Sequence, residues 1–342
     1  MQPGPIQRSL GRRLAVVAAT AVAALGPLLA LAGGAPVTNA DARIWLQRMH
    51  AAASQLNYQG TLVVSAGGSM SSSRLAHYCE GQQYLERVDM LDGQPRRVYR
   101  HNDQVLTLWP AAKVARLELR ESVALFPAVL SGSEDQLLER YDMLAEDGDR
   151  VAGLEAAVFV LRPKDSHRFA QRLWADRASG LLLRADVLAP DGRVLEAAAF
   201  TEVSIGVKAQ PDSVLVPMKN LEGYRVLRSA PQRTALEAEG WRLTPPVAGF
   251  RQVSCVKRGM ATASNGVGNS QGDVLQSIFS DGLTHVSVFI EPFRADRHRP
   301  GTVAFGATHT LMQAHGSSWI TVMGDVPMAT LKKFAAALER LR

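Results

Sequence analysis

The run from Arg150 to Phe200, RVAGLEAAVFVLRPKDSHRFAQRLWADRASGLLLRADVLAPDGRVLEAAAF, constrains the fold more than any other stretch. Four apolar segments rich in Val, Leu, Phe and Trp are separated at Arg162–Ser166, Asp176–Gly180 and Pro190–Gly192. The Asp-x-x-Ser-Gly and Pro-Asp-Gly breaks carry turn chemistry. Pro presets φ, Asp bonds its own backbone two residues on, and Gly takes the φ > 0 position that closes a hairpin. The stretch therefore predicts four consecutive antiparallel strands, the middle of a large curved sheet on which the rest of the first domain packs.

The N-terminus carries an export pattern. Arg8, Arg12 and Arg13 precede an apolar run from Leu14 to Ala32, and the first acidic residue is Asp41. Basic, apolar and small-residue segments in that order predict a secretory signal peptide within residues 1–40, with Ala30-Leu-Ala32 and Thr38-Asn-Ala40 as cleavage boxes. Gly26 and Pro27 interrupt the run, which favours cleavage over a retained membrane anchor. No Cys ends the run, so no lipoprotein is expected. Loss of the three arginines lowers the formal charge from +6 to +3. Charges are scattered, and no basic stripe interleaved with aromatics points to nucleic acid. Cys79 and Cys255 could form one disulfide in an oxidising compartment or stay as two buried thiols.

In chain order, Asp41–Gln55 predicts an amphipathic helix with Trp45, Leu46, Met49 and Ala53 on one face and Asn39 or Asp41 as N-cap. Strands follow at Tyr58–Ser65, Ser73–Cys79, Tyr84–Leu91, Arg96–His101, Val105–Trp109 and Val114–Leu119, the first two separated by a small polar loop. Glu121–Leu144 reads as a helical insert, with an apolar cluster of Leu125, Phe126, Val129 and Leu130 and a helix capped by Ser133 that carries Leu137, Leu138 and Tyr141. This pattern predicts an α+β, mostly antiparallel fold: a curved half-barrel sheet wrapped around helices over residues 41–206. Residues 207–235 form a linker and entry. Residues 236–342 form a smaller α+β domain of hairpins closed by a helix over Met328–Leu341, whose stripe is Leu331, Phe334, Leu338 and Leu341.

Enzyme signatures are missing. Gly266–Gly272 has one residue too many for a dinucleotide fingerprint and opens no helix. No G-x-S-x-G, H-E-x-x-H or P-loop occurs, and Asp165, Ser166 and His167 are neighbours in a turn, the wrong placement for a triad. The histidines share no ligand spacing, and there is no Cys-x-x-Cys, so no metal, cofactor or catalysis is expected. What remains is binding. Tyr58, Leu62, Val64, Leu106, Leu108, Trp109, Trp174, Leu182 and Phe200 lie on strands of the large domain and are candidates to line an apolar cavity for an acyl chain. Plain core packing is the alternative for each.

Several segments together resemble the MucB/RseB family of exported regulators of the envelope-stress sigma factor E. They are Tyr58–Val64, Glu86–Gly93, Arg150–Gly153, Pro163–Asp165 with Leu173-Trp174, Gly180–Leu183, Ser280–Leu283, Val286–Pro292 and Gly324–Thr330. The matches spread over nearly the whole mature chain, and the pattern departs at the Gly259–Asp273 loop and at Cys79. The resemblance implies a periplasmic protein with a large domain like the lipoprotein carriers of the Lol pathway. It implies binding to the periplasmic segment of a membrane-spanning anti-sigma factor, shielding from the site-1 protease, and release by lipopolysaccharide or lipoprotein acyl chains. For the partner, the small-domain hairpin with Phe279, Asp281, Phe289 and Glu291 and the interdomain cleft are the candidates, the alternative being that Val286, Val288 and Ile290 are core and only their neighbours face a partner. A periplasmic lipid or lipoprotein carrier using the same half-barrel is the alternative, and a homo-oligomer is possible in either case.

Overall fold

The structure is a computed structural model that describes residues 34–119, 133–229, 231–259 and 273–341. The predicted signal segment up to residue 33, the Leu125–Leu130 cluster and most of the Gly259–Asp273 loop lie outside the described residues. The first part of the chain contains β1 (Ala35–Pro36), α1 (Asn39–Gln55), β2 (Tyr58–Ala66), β3 (Ser69–Glu80), β4 (Gln83–Met90), β5 (Arg97–His101), β6 (Gln104–Trp109) and β7 (Val114–Leu119). It continues with α2 (Glu134–Arg140), β8 (Tyr141–Val151), β9 (Leu154–Pro163), β10 (Ala170–Asp176), β11 (Leu182–Leu188), β12 (Val194–Ile205), α3 (Asp212–Lys219) and β13 (Arg225–Ser229). The second part contains β14 (Gln232–Arg233), β15 (Trp241–Leu243), β16 (Arg251–Gly259), β17 (Asp273–Ser280) and β18 (His285–Pro292). It closes with β19 (Gly301–Phe305), β20 (Thr308–His315), β21 (Ser318–Gly324), α4 (Met328–Ala337) and β22 (Leu338–Arg340).

Among the described residues, thirteen strands form one open sheet in the order β1-β8-β9-β10-β11-β12-β2-β3-β4-β5-β6-β7-β13. A second sheet of seven runs β14-β16-β17-β18-β21-β20-β19. All pairs are antiparallel except β13 on β7. The expected α+β, mostly antiparallel architecture is borne out, with a large curved sheet that does not close. The four strands read from Arg150–Phe200 are β9 to β12, and their breaks fall at the predicted turns.

Alternation along each strand sorts the large core onto two faces. His77 stacks on Tyr58 and Tyr78 is its neighbour, so the two point to opposite sides. On one side α1 covers Leu62, Leu75, Leu181 and Phe200, and buries Leu46 and Met49 against Phe159, Leu161 and Leu182. On the other, Tyr78, Leu85, Leu106 and Leu108 meet Val214 of α3. The small core lies between its sheet and α4, with Val286, Val288, Ile290, Val322, Leu331 and Phe334 in one cluster.

Several expectations need correction. Helix α1 is capped by Thr38, whose Oγ1 accepts from the Asp41 N–H at 3.2 Å, because the helix starts before Asp41. The polar loop after Ala66 is a two-residue turn. Gly67 and Gly68 have φ of +55° and +79°, both positive as a primed hairpin turn requires, and the serines continue as β3 paired to β2 up to Ala66↔Ser69. The insert helix ends at Arg140, and Tyr141 opens β8. That strand hid in the sequence because its distal half, Glu146–Arg150, is polar and carries a bulge. Helix α4 ends at Ala337, and Leu338 is buried from β22, which pairs with β15. Residues 212–219 and 225–229, within the expected linker, form α3 and β13. Cys79 and Cys255 are free thiols, one on each sheet, so no disulfide forms.

Phe334 is fully buried, with ring centroids 5.4 Å from Phe250 and 5.2 Å from Phe279. Phe334→Ala is expected to lose about 3–5 kcal/mol in urea unfolding, from burial and cavity costs together. Ile44→Ala, on the exposed face of α1, should stay within about 0.5 kcal/mol of wild type.

Candidate functional site

The nine apolar candidates of the large sheet do not share one face. Tyr58, Leu62, Val64 and Phe200 form part of one cluster under α1, and Leu182 belongs to the neighbouring cluster on the same side. Trp109 is half-buried, with the Arg116 guanidinium 5.5 Å from its ring. Leu106 and Leu108 point the other way, beneath α3. Trp174 is also on that side: it pairs with Arg184, which stacks over its indole at 4.3 Å, and its Nε1 donates to Asp149 at 3.1 Å. Period-2 alternation separates Trp174 from the α1-facing Leu173, a parity that the composition of a strand does not reveal. Apart from Val64 and Trp109, all nine are buried. A groove of about 530 Å³ opens on the face opposite α1, and its lining includes Gln59, Arg74, Arg87, Asp89 and Glu202, a mixed-charge wall unlike an acyl cavity.

Against the apolar α1 side sits a polar group that the sequence did not flag. His77 and Glu86 are cross-strand partners, as are Cys79 and Tyr84. His77 stacks on Tyr58 at 4.8 Å and meets Tyr84 edge-on at 4.6 Å, and its Nε2 lies 3.3 Å from Cys79 Sγ. The Tyr84 hydroxyl donates to Glu86 at 3.3 Å, and the Arg100 guanidinium lies over the Tyr84 ring. Burial, aided by the Arg100 charge, pulls His77 down to about 4. Burial pushes the Glu86 carboxyl up against the opposing pull of Arg100, and raises the Cys79 thiol. A raised thiol beside a neutral imidazole is the reverse of an activated Cys–His pair. In all three groups burial disfavours the charged form.

The two sheets meet at the Ser280–Thr284 turn between β17 and β18. Asp281 Oδ1 accepts from the Leu283 and Thr284 N–H groups at 2.9 and 2.8 Å. Its Oδ2 accepts from the Tyr141 hydroxyl at 2.8 Å and from Arg168 Nε at 2.5 Å. Arg168 also donates to Asp165 and to the Ala248 carbonyl, and lies over the Phe250 ring at 4.8 Å. The Arg168 and Asp281 side chains are both fully buried. Burial and the Asp281 carboxylate push the Tyr141 phenol well above its ordinary value, so it remains a donor. Leu283, from the same turn, packs into the large core beside α1 and α2.

The partner candidates therefore divide. Phe279 is core and Asp281 is committed to Arg168 and Tyr141. Phe289 and Glu291 are half-buried on the face away from α4, where Phe289 lies 5.9 Å from the Arg258 guanidinium and Glu291 lies 3.8 Å from His298 Nε2. Arg168 was missed because nothing local marks a residue whose partner is 113 positions away.

Arg168→Met should cost about 3–5 kcal/mol, since it leaves a buried carboxylate unpaired. The double variant Arg168→Met/Asp281→Asn should be less destabilised than the sum of the singles, as a denaturation double-mutant cycle would read. The His77 shift predicts the sign of a pH effect. Its folded value lies below the unfolded one, so its contribution is complete above pH about 6.5 and is lost as pH falls towards 4. The loss is on the order of 3 kcal/mol. The stability profile of His77→Phe should be flatter over that window, by equilibrium unfolding at each pH.

Comparison with known proteins places both parts of the chain. A family model described as "MucB/RseB N-terminal domain" matches residues 41–218, and one described as "MucB/RseB C-terminal domain" matches residues 235–339. The sigma factor AlgU regulatory protein MucB of Pseudomonas aeruginosa is 29% identical over 324 residues, covering 92% of this chain and 95% of that protein. The sigma-E factor regulatory protein RseB of Escherichia coli K12 is 24% identical over 297 residues, covering 86% and 89%. The crystal structure of MucB in complex with MucA(peri) superposes with a TM-score of 0.66 at 25% identity, covering 88% of this chain and all of that one. With both domain models matched in order and together spanning most of the sequence, this chain belongs to the MucB/RseB family.

Proposed function

We propose that this protein is a periplasmic regulator that binds the periplasmic segment of a membrane-spanning anti-sigma factor. Bound there, it shields the segment from the site-1 protease and so restrains the envelope-stress sigma factor. The observation that carries this reading is family membership across both domains, together with a relative solved with MucA(peri). The basic and apolar N-terminal run supports export to the periplasm.

Release by an acyl ligand follows from competition. A lipid entering between α1 and the sheet gives up the packing of Leu46 and Met49 on Leu161 and Leu182, and gains about 0.8 kcal/mol per methylene buried. Because Leu283 of the small sheet packs into that same core, displacement there is felt at the junction with Asp281. If partner and lipid favour different arrangements of that junction, each weakens the other by the same factor. The polar Tyr84–Glu86–Arg100 group offers hydrogen bonds to a lipid headgroup.

The test uses the mature chain, the periplasmic segment of the cognate anti-sigma factor and the site-1 protease. Binding with slowed cleavage is expected, and lipopolysaccharide or a lipoprotein acyl peptide should restore cleavage. Unchanged cleavage in the presence of saturating protein would refute the shielding role. Peptide binding that no acyl ligand perturbs would remove the lipid step alone.

A further inference from the structure

Strand β19 (Gly301–Phe305) is an unusual edge. Among the described residues it has a hydrogen-bonded neighbour on one side only, β20, with a continuous register from Gly301↔Met312 to Phe305↔Thr308 and no bulge. All five residues are exposed, including Val303 at 54% and Phe305 at 51%. Natural edges are blunted by shortness, charge, Pro or a bulge, because an open ladder pairs with other chains. The opposite edge of the same sheet obeys that rule, since β14 has two residues, one of them Arg233. The outer strand β1 of the large sheet is equally short. Gly-Thr-Val-Ala-Phe carries neither charge nor Pro.

The edge is also held in place. The Phe305-Gly306 turn sits against the large sheet so closely that a Cβ on Gly67 would lie 2.7 Å from the Phe305 ring, and one on Gly306 would lie 2.8 Å from Ala66. Just before the strand, the turn Arg294–Pro300 presents Arg297 and Arg299, and its one acid, Asp296, lies 3.6 Å from Arg297 Nε, a solvent-exposed pair that an incoming carboxylate would replace. Arg299 is held by the Ala295 and His298 carbonyls at 2.6 and 3.1 Å. A fixed, uncharged, apolar edge next to two exposed guanidiniums suits an extended segment that brings its own backbone ladder, apolar side chains in alternation, and carboxylates at one end.

We propose that β19 accepts an extended, acidic stretch of the anti-sigma factor's periplasmic segment as an added strand of the small sheet, with Arg297 and Arg299 receiving its carboxylates. This rests on the anti-sigma-binding function proposed above. A second copy of the chain fits less well. Pairing β19 with itself would bring an uncharged strand opposite an uncharged strand and give Arg297 and Arg299 no acid from it.

Hydrogen exchange on the full mature chain, with and without the periplasmic segment of the cognate anti-sigma factor, tests this directly. The β19 amides that point away from β20, which alternate along the strand with those bonded to it, should exchange fast in the free protein and slow by at least about tenfold in the complex. Val303→Lys, which places a charge on an exposed position of the edge, should weaken binding by about tenfold with an unchanged melting temperature, and Arg297→Ala/Arg299→Ala should reduce the salt dependence of binding. Binding that leaves β19 exchange unaltered overturns the inference and leaves the anti-sigma function standing. Absence of binding to the wild-type chain overturns that function as well. A free chain whose outward-facing β19 amides are already protected, in a dimer that Val303→Lys dissociates by light scattering, assigns the edge to self-association and also overturns it.

Discussion

Arg168, in the connection between β9 and β10, and Asp281, in the turn between β17 and β18, come from the two different sheets' loops, with both side chains removed from water, and each makes sense only in the presence of the other. A charge taken out of water costs several kcal/mol unless paired and hydrogen-bonded. Here the Asp281 carboxylate is filled by four donors: two N–H groups of its own turn, the Tyr141 hydroxyl and Arg168. The strictness of that geometry sets how the small sheet is seated. The Ser280–Thr284 turn that presents Asp281 to Arg168 also carries Leu283 into the large core. Phe289 and Glu291 of β18 lie half-buried on the face away from α4.

The same junction joins α1 and α2 to the small sheet. Leu283 shares a cluster with Ala42, Leu46 and Met49 of α1, with Leu137 and Leu138 of α2 and with Leu182 of β11. On the far side of the turn, Thr284 Oγ1 donates to the Asp325 carbonyl, and Thr308 donates to the Asp325 carboxylate at the root of β20. The turn that buries Leu283 beside α1 is therefore also hydrogen-bonded to Asp325, between β21 and α4. The His77–Cys79–Glu86 group lies by α1, where burial lowers the imidazole and raises the thiol and the carboxyl, each shift disfavouring the charged form.

Much of this was legible in the chain. The Asp176–Gly180 and Pro190–Gly192 turns located β9 to β12, because turn residues with special φ requirements are local facts. Ser133 was read as the α2 cap for the same reason, and its Oγ accepts from the Gln136 N–H. Strand β8 was not legible, since a polar, bulged strand has neither the alternation nor the β-branched content that marks one. The end of α4 was not legible either, because Leu338 keeps the apolar spacing while its backbone is claimed by β15. The candidate site fared unevenly. Residue type picked out buried strand positions correctly in Leu106, Trp174 and Phe200, yet not the face each one occupies.

By itself the sequence determined the class of fold, the two-sheet organisation and the family, because hairpin chemistry, apolar periodicity and long ordered similarity are properties of neighbours along a chain. Only the tertiary structure decided which side of the sheet each apolar residue faces, that Asp281 bonds Arg168 and Tyr141 at the junction, and that β19 is left as an open edge. Those outcomes depend on parity across bulges and on contacts between residues more than a hundred positions apart, and neither is carried by local composition.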